Sequence, residues 1–161
     1  MKISCLQENL SRGLAIVGRA VATRATLPVT QNVLLSVDQS MLKLSATNLE
    51  VAITTWTGAM IEEEGEVTVP ARLLTEFVSS LPTDKIDLAL QPGTSILQLS
   101  CARSKATIHG TDAGEFPPIP TVDEAIAARV DPRALRSAIS RVAFAAATEE
   151  SRPVLTGVEM K

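Results

Sequence analysis

Apolar and polar positions along this chain switch between two periods, and the switches mark out its elements. Lys2–Leu6 reads as a short strand. Leu10, Leu14, Val17 and Val21 then recur at helical spacing, which predicts an amphipathic helix over 7–22. Pro28 cannot sit inside a helix and marks the exit. Val33, Leu35 and Val37 alternate, as do Leu42, Leu44 and Ala46, so strands are expected over 32–37 and Met41–Thr47, with a third over 51–60. Turn-prone residues at 38–40 and Asn48 separate them. After the acidic loop at 62–66 the order repeats. Glu66–Pro70 is a strand, and Pro70 suits the first turn of a helix, where its missing N–H is no loss. That helix is expected to bury Leu73, Leu74, Phe77 and Val78 and to end at Leu81 and Pro82. Strands over Lys85–Leu90, 95–101 and 105–110 follow.

The chain also repeats itself. With Leu10 set against Leu135 and no gap, Leu14 meets Ile139, Val17 meets Val142, Thr23 meets Thr148, Pro28 meets Pro153 and Val33 meets Val158. A fainter copy begins near residue 67, so the unit is about 60 residues of strand, helix and three strands. Three prolines within residues 115–121 make a stiff, extended connector and place a domain boundary there. Residues 1–120 then hold two complete units, and 121–161 open a second, truncated domain. The third unit starts with a strand at 127–130, and its helix begins at Asp131 and Pro132, an N-cap followed by the first helical position. It stops just as its second strand begins, which leaves a sheet face and strand edges without partners. Either the chain is a piece of something longer, the favoured reading, or its tail is poorly ordered.

Composition narrows the class. At 45% apolar and 20% charged, the chain can bury a real core and is no disordered tail. No apolar run approaches the roughly 18 to 20 residues of a membrane span, and the polar MKISCLQENL start lacks a signal peptide's apolar stretch. A cytoplasmic protein without membrane contact is expected. Cys5 and Cys101 are far apart and His109 is the sole histidine, so a metal site is not expected and both cysteines read as small buried apolar residues.

The net charge of −3 argues against a nucleic-acid binder until the charge is located. The three helical segments and their exits hold seven arginines against three acids, so the acids concentrate elsewhere, in loops such as 62–66 and 112–124. Arg12 and Arg19 are seven apart and share a helix face away from the Leu10, Leu14 and Val17 stripe. A basic helix surface on an acidic protein can attract phosphate, although ordinary solvated faces have the same composition. No phosphate-cradling glycine loop, serine elbow or acid–base set is present, and no cofactor is expected. Aromatics amount to three Phe and one Trp, with Phe77 and Phe144 at apolar helix positions and expected in the core, so base stacking is disfavoured. Sequence-independent contact with duplex phosphates needs neither aromatics nor a groove-reading helix.

The MKISCLQENLSRGL start, TLPV at 26–29, ATNLE at 46–50, VPAR at 69–72, EFPPIP at 115–120 and RPVLTG at 152–157 together resemble the bacterial DNA sliding clamp, the β subunit of DNA polymerase III. VPAR alone is a weak motif; six in order, joined to a repeat of suitable length, are specific. The resemblance implies an α+β DNA-clamp fold of repeated βαβββ units, with two helices packed on antiparallel sheets in each domain. It implies no catalysis. It implies a homodimeric ring around double-stranded DNA that tethers polymerase III subunits, meets a clamp loader and binds clamp-binding-motif proteins. Arg24, Arg72 and Arg136 correspond to basic positions on the channel side, expected to share one inner wall. Glu149 stands where some members have a glutamine near DNA, and an acid there would repel phosphate. Arg103, Lys105 and Ile108 correspond to the strand edge that closes the ring, with Ala106 smaller than the aromatic some members use. Arg152 and Leu155 correspond to one wall of the peptide cleft. Arg24 as a plain helix-end cation and Leu155 as plain core remain alternatives, as does a protein-interaction scaffold that does not bind DNA.

Overall fold

The computed structural model describes residues 1–23, 27–120, 129–149 and 151–160. The chain divides into two compact units, Met1–Pro120 and Thr121–Lys161.

In the first unit, β1 (Lys2–Leu6) leads directly into helix α1 (Gln7–Val17), which buries Leu10, Leu14 and Val17. The predicted helix over 7–22 is therefore shorter; a 3₁₀ turn at Gly18–Ala20 follows, and Val21 is already extended. Strands β2 (Asn32–Asp38), β3 (Met41–Thr47) and β4 (Ala52–Thr57) form antiparallel neighbours. The β2–β3 turn carries φ of 51° at Gln39 and 59° at Ser40, the left-handed pair that a two-residue hairpin needs. The strand expected over 51–60 is broken at Gly58 and Ala59, and β5 (Met60–Glu63) leaves for the other sheet, where it pairs with β1. Next come β6 (Glu66–Pro70), helix α2 (Ala71–Ser80), β7 (Lys85–Leu90), β8 (Ile96–Cys101) and β9 (Ser104–His109). Pro70 is the last residue of β6 and the cap of α2 rather than a member of its first turn.

The sheet orders are β5-β1-β7-β8-β9 and β4-β3-β2-β6. Each repeat thus lends its opening strand to the other repeat's sheet: β1 pairs with β7, and β6 with β2. Neither repeat can complete a sheet alone. Ile3, Leu35, Leu44, Leu74, Leu88 and Leu97 are among the fully buried side chains of the shared core. Each such burial contributes about 1.5–3 kcal/mol. Ala71, Leu74 and Val78 form the buried stripe of α2 and Phe77 packs partly against the core, but Leu73, expected in it, lies one position off the stripe and is exposed.

Polar contacts tie the two repeats, and the two sheets, together. The Gln7 amide donates to the Val78 carbonyl at 2.7 Å, joining the start of α1 to α2. Thr68 in β6 exchanges backbone hydrogen bonds of 3.2 and 2.9 Å with Thr111, and the Asn32 amide donates to the Thr68 hydroxyl at 3.2 Å. A methyl group on Gly110 would collide with the Thr68 carbonyl oxygen, so this close seam requires glycine.

In the second unit, helix α3 (Pro132–Val142) starts where expected, with the Asp131 carboxylate accepting the Arg133 N–H at 2.8 Å. Two 3₁₀ turns, Ala143–Ala145 and Pro153–Thr156, follow. Of the strand expected at 127–130, residues 127 and 128 lie outside the described residues, and Arg129 and Val130 are in no strand. Phe144, expected in a core, is 85% exposed.

Candidate nucleic-acid interface and strand edges

The arginines come from helix faces that the core leaves free. Burial of Leu10, Leu14 and Val17 turns Arg12 of α1 to solvent, Arg19 is exposed in the 3₁₀ turn that follows, and burial of Ala71, Leu74 and Val78 turns Arg72 of α2 outward. α1 and α2 flank a groove of about 710 Å³, with Leu14, Ala15, Gly18 and Thr23 on one side and Ala71, Arg72, Thr75 and Glu76 on the other. Arg72 therefore faces the stretch of chain that leads to Arg24, which itself lies outside the described residues. Arg12 does not join this groove; it lines a smaller hollow between α1 and β4, beside Trp56. Arg136 is exposed on α3 of the second unit.

Arg72 is not free. Its Nε donates to Glu76 Oε1 at 2.7 Å, one helical turn away, and this hydrogen bond raises the guanidinium's affinity for its proton. Sequence reasoning counted Glu76 only as a charge, although the i,i+4 spacing is legible. It also missed the surface group around Trp56, whose ring N–H donates to Asp38 at 3.1 Å while Lys43 stands 5.6 Å from the ring centre.

Among the described residues β9 pairs only with β8 and is an edge strand, with one row of its backbone groups open. The three residues named for that edge divide. Lys105 is exposed on β9. Arg103 sits in the turn before β9, not on it, next to Ala102 at φ 50°. Ile108 is only 6% exposed and belongs to the core, because strand alternation turns it inward between Thr107 and His109. Its backbone can serve an interface; its side chain cannot.

Arg152 and Leu155 are adjacent in the second unit: the Leu155 N–H donates to the Arg152 carbonyl at 2.9 Å, and the Leu155 carbonyl accepts from Ala147 at 2.8 Å. Both side chains are exposed. Glu149 is also exposed. Cys5 and Cys101 are free and buried, and burial pushes the Cys5 thiol up to about 12. Among the described residues no cluster of His, Cys, Asp and Glu could hold a metal, and no helix is long and apolar enough to cross a membrane.

Residues 1–120 match the family model described as DNA polymerase III beta subunit, N-terminal domain. The beta sliding clamp of Synechocystis sp. is 39% identical over the whole of this chain and 43% of its own length, and that of Synechococcus elongatus 36% identical with the same coverage. In structure, 98% of the chain superposes on 43% of the DNA polymerase III subunit beta from Pseudomonas aeruginosa, with a TM-score of 0.89 at 33% identity. The polymerase sliding clamp from Caulobacter crescentus gives 0.88 at 32%, over the same shares. The chain spans about 43% of the length of the relatives it matches. With two antiparallel sheets, two helices packed beside each other and a strand exchanged between repeats, this chain belongs to the beta sliding clamp family, the DNA polymerase III beta subunits.

Proposed function

We propose that this chain supplies the first domain and the opening of the second to a ring-shaped processivity clamp. The complete dimer closes around double-stranded DNA without reading sequence and tethers DNA polymerase III. The role is mechanical rather than catalytic, and it belongs in the cytoplasm, where a clamp loader and proteins bearing clamp-binding motifs meet the ring. The observation that carries this reading is whole-chain similarity to beta sliding clamps, combined with core packing that leaves Arg12 and Arg72 outward on adjacent helices and Arg19 exposed just beyond the first of them.

Arg24, Arg72 and Arg136 are assigned to phosphate contact on the channel side. The open edge of β9, with Lys105 beside it and Arg103 in the preceding turn, closes the ring; Ile108 contributes backbone there. Arg152 and Leu155 form one wall of the peptide cleft. Such a ring holds DNA by topology, so its direct contacts can be weak and screened by salt, which permits sliding.

The test loads the complete clamp carrying this sequence onto nicked circular DNA and then linearises the circle. Retention on the circle at high salt and loss from the free ends is expected. Retention after linearisation would mean binding by contact rather than by encirclement. No salt-sensitive association at all would favour a scaffold that does not bind DNA.

A further inference from the structure

We propose that Glu76 regulates the phosphate grip of Arg72, acting as a built-in competitor that keeps this contact releasable. The inference rests on the proposed DNA-facing role of α2 and goes beyond it by naming what limits that role.

A carboxylate beside a phosphate-binding arginine is unexpected, since it repels the same ligand. The geometry explains it. Glu76 engages Arg72 through Nε alone, at 2.7 Å. Among the described residues, the two terminal amino groups of the guanidinium carry no hydrogen bond to protein. The carboxylate therefore occupies one donor of the guanidinium, and the outer donors are where an arriving anion first engages before it displaces the carboxylate. Both side chains are exposed, at 87% and 58%, and both line the groove between α1 and α2. An exposed i,i+4 pair is weak and exchanges partners readily. A phosphate can take the guanidinium with little loss, and Glu76 reclaims it when the phosphate moves on. Among the described residues no carboxylate forms an ion pair with Arg12, Arg19 or Arg136, so this competitor belongs to α2.

The test compares the complete clamp with its Glu76→Gln, Arg72→Ala and doubly substituted forms. Each is titrated with a short duplex by fluorescence anisotropy across a salt series. Glu76→Gln should tighten binding about threefold at low salt and steepen the logarithmic salt dependence by up to about one. In the Arg72→Ala background the same change should have little effect, because no guanidinium remains to be released. Equal tightening in both backgrounds would reduce Glu76 to a diffuse negative charge and overturn the proposal. So would unchanged affinity and slope in Glu76→Gln while Arg72→Ala still weakens binding. If Arg72→Ala alone leaves binding unchanged, the DNA-facing role of Arg72 fails and the proposal fails with it. Thermal melting of each variant separates these outcomes from loss of fold.

Discussion

The two units carry the same helical stripe and bury it very differently. In the first, Leu10, Leu14 and Val17 of α1 are at most 1% exposed. Their counterparts in the second include Ile139 and Val142 of α3, at 40% and 47% exposed. Spacing and chemistry are nearly the same, so amphipathicity alone does not make a core. What differs is the surroundings: α1 lies against β3, β4 and α2, whereas the described part of the second unit contains no strand. The helix starts differ in a complementary way. α1 begins at Leu6 with no side-chain cap, and α3 begins at a capping Asp131. Tertiary packing holds the first helix; local hydrogen bonding defines the second.

The contrast can be broken most decisively at the paired stripe positions. Leu14→Ala should destabilise the chain by about 2–5 kcal/mol, because a fully packed site is emptied. Ile139→Ala should cost under about 1 kcal/mol. Urea unfolding of both variants checks this, and equal losses would show that α3 is packed as tightly as α1. Gly110→Ala should cost about 1–3 kcal/mol by forcing Thr68 and Thr111 apart. Faster amide exchange at both threonines, with the second unit unaffected, would localise the damage. Asp131→Ala should cost α3 about 1 kcal/mol, visible as faster exchange at the Arg133 amide and lower helix content, while Leu6→Ala removes no cap from α1.

The smallest effect at neutral pH comes from the thiols, which lie only in the first unit. Burial raises Cys5 from its ordinary 9.0 to about 12, so the folded state holds its proton more tightly than the unfolded state. Its contribution is fully present below pH 9 and is lost as pH rises toward 12, as the unfolded chain ionises first. Chemical unfolding between pH 7 and 11 should show a flat region and then a decline. Neither thiol should react with Ellman's reagent at pH 8 before the first unit opens, and rapid labelling of the native chain would contradict their burial.

Much of the fold was legible, for identifiable reasons. The bounds of β1, β3, β6 and β7 agree with the alternation and turn residues around them. The start of α3 follows from Asp131 and Pro132. The misreadings share one origin. Residues 51–60 look like one long strand because nothing in their polarity says that Gly58 and Ala59 carry the chain from one sheet to the other. Leu73 and Leu74 are the same residue type, and only the surface α2 packs on decides which is buried. At the candidate site, outward arginines on α1 and α2 could be inferred from the stripes opposite them, but the hold of Glu76 on Arg72 and the inward turn of Ile108 could not.

Periodicity, breaker residues and the internal repeat are properties of short stretches, and they specified where helices and strands begin, which helix faces turn outward and that the units recur. Sheet partnership is a property of residues far apart in the chain. The exchange of β1 and β6 between repeats, the departure of β5 and the Thr68–Thr111 seam were settled only by folding, because strand pairing depends on which distant backbone groups can be satisfied together.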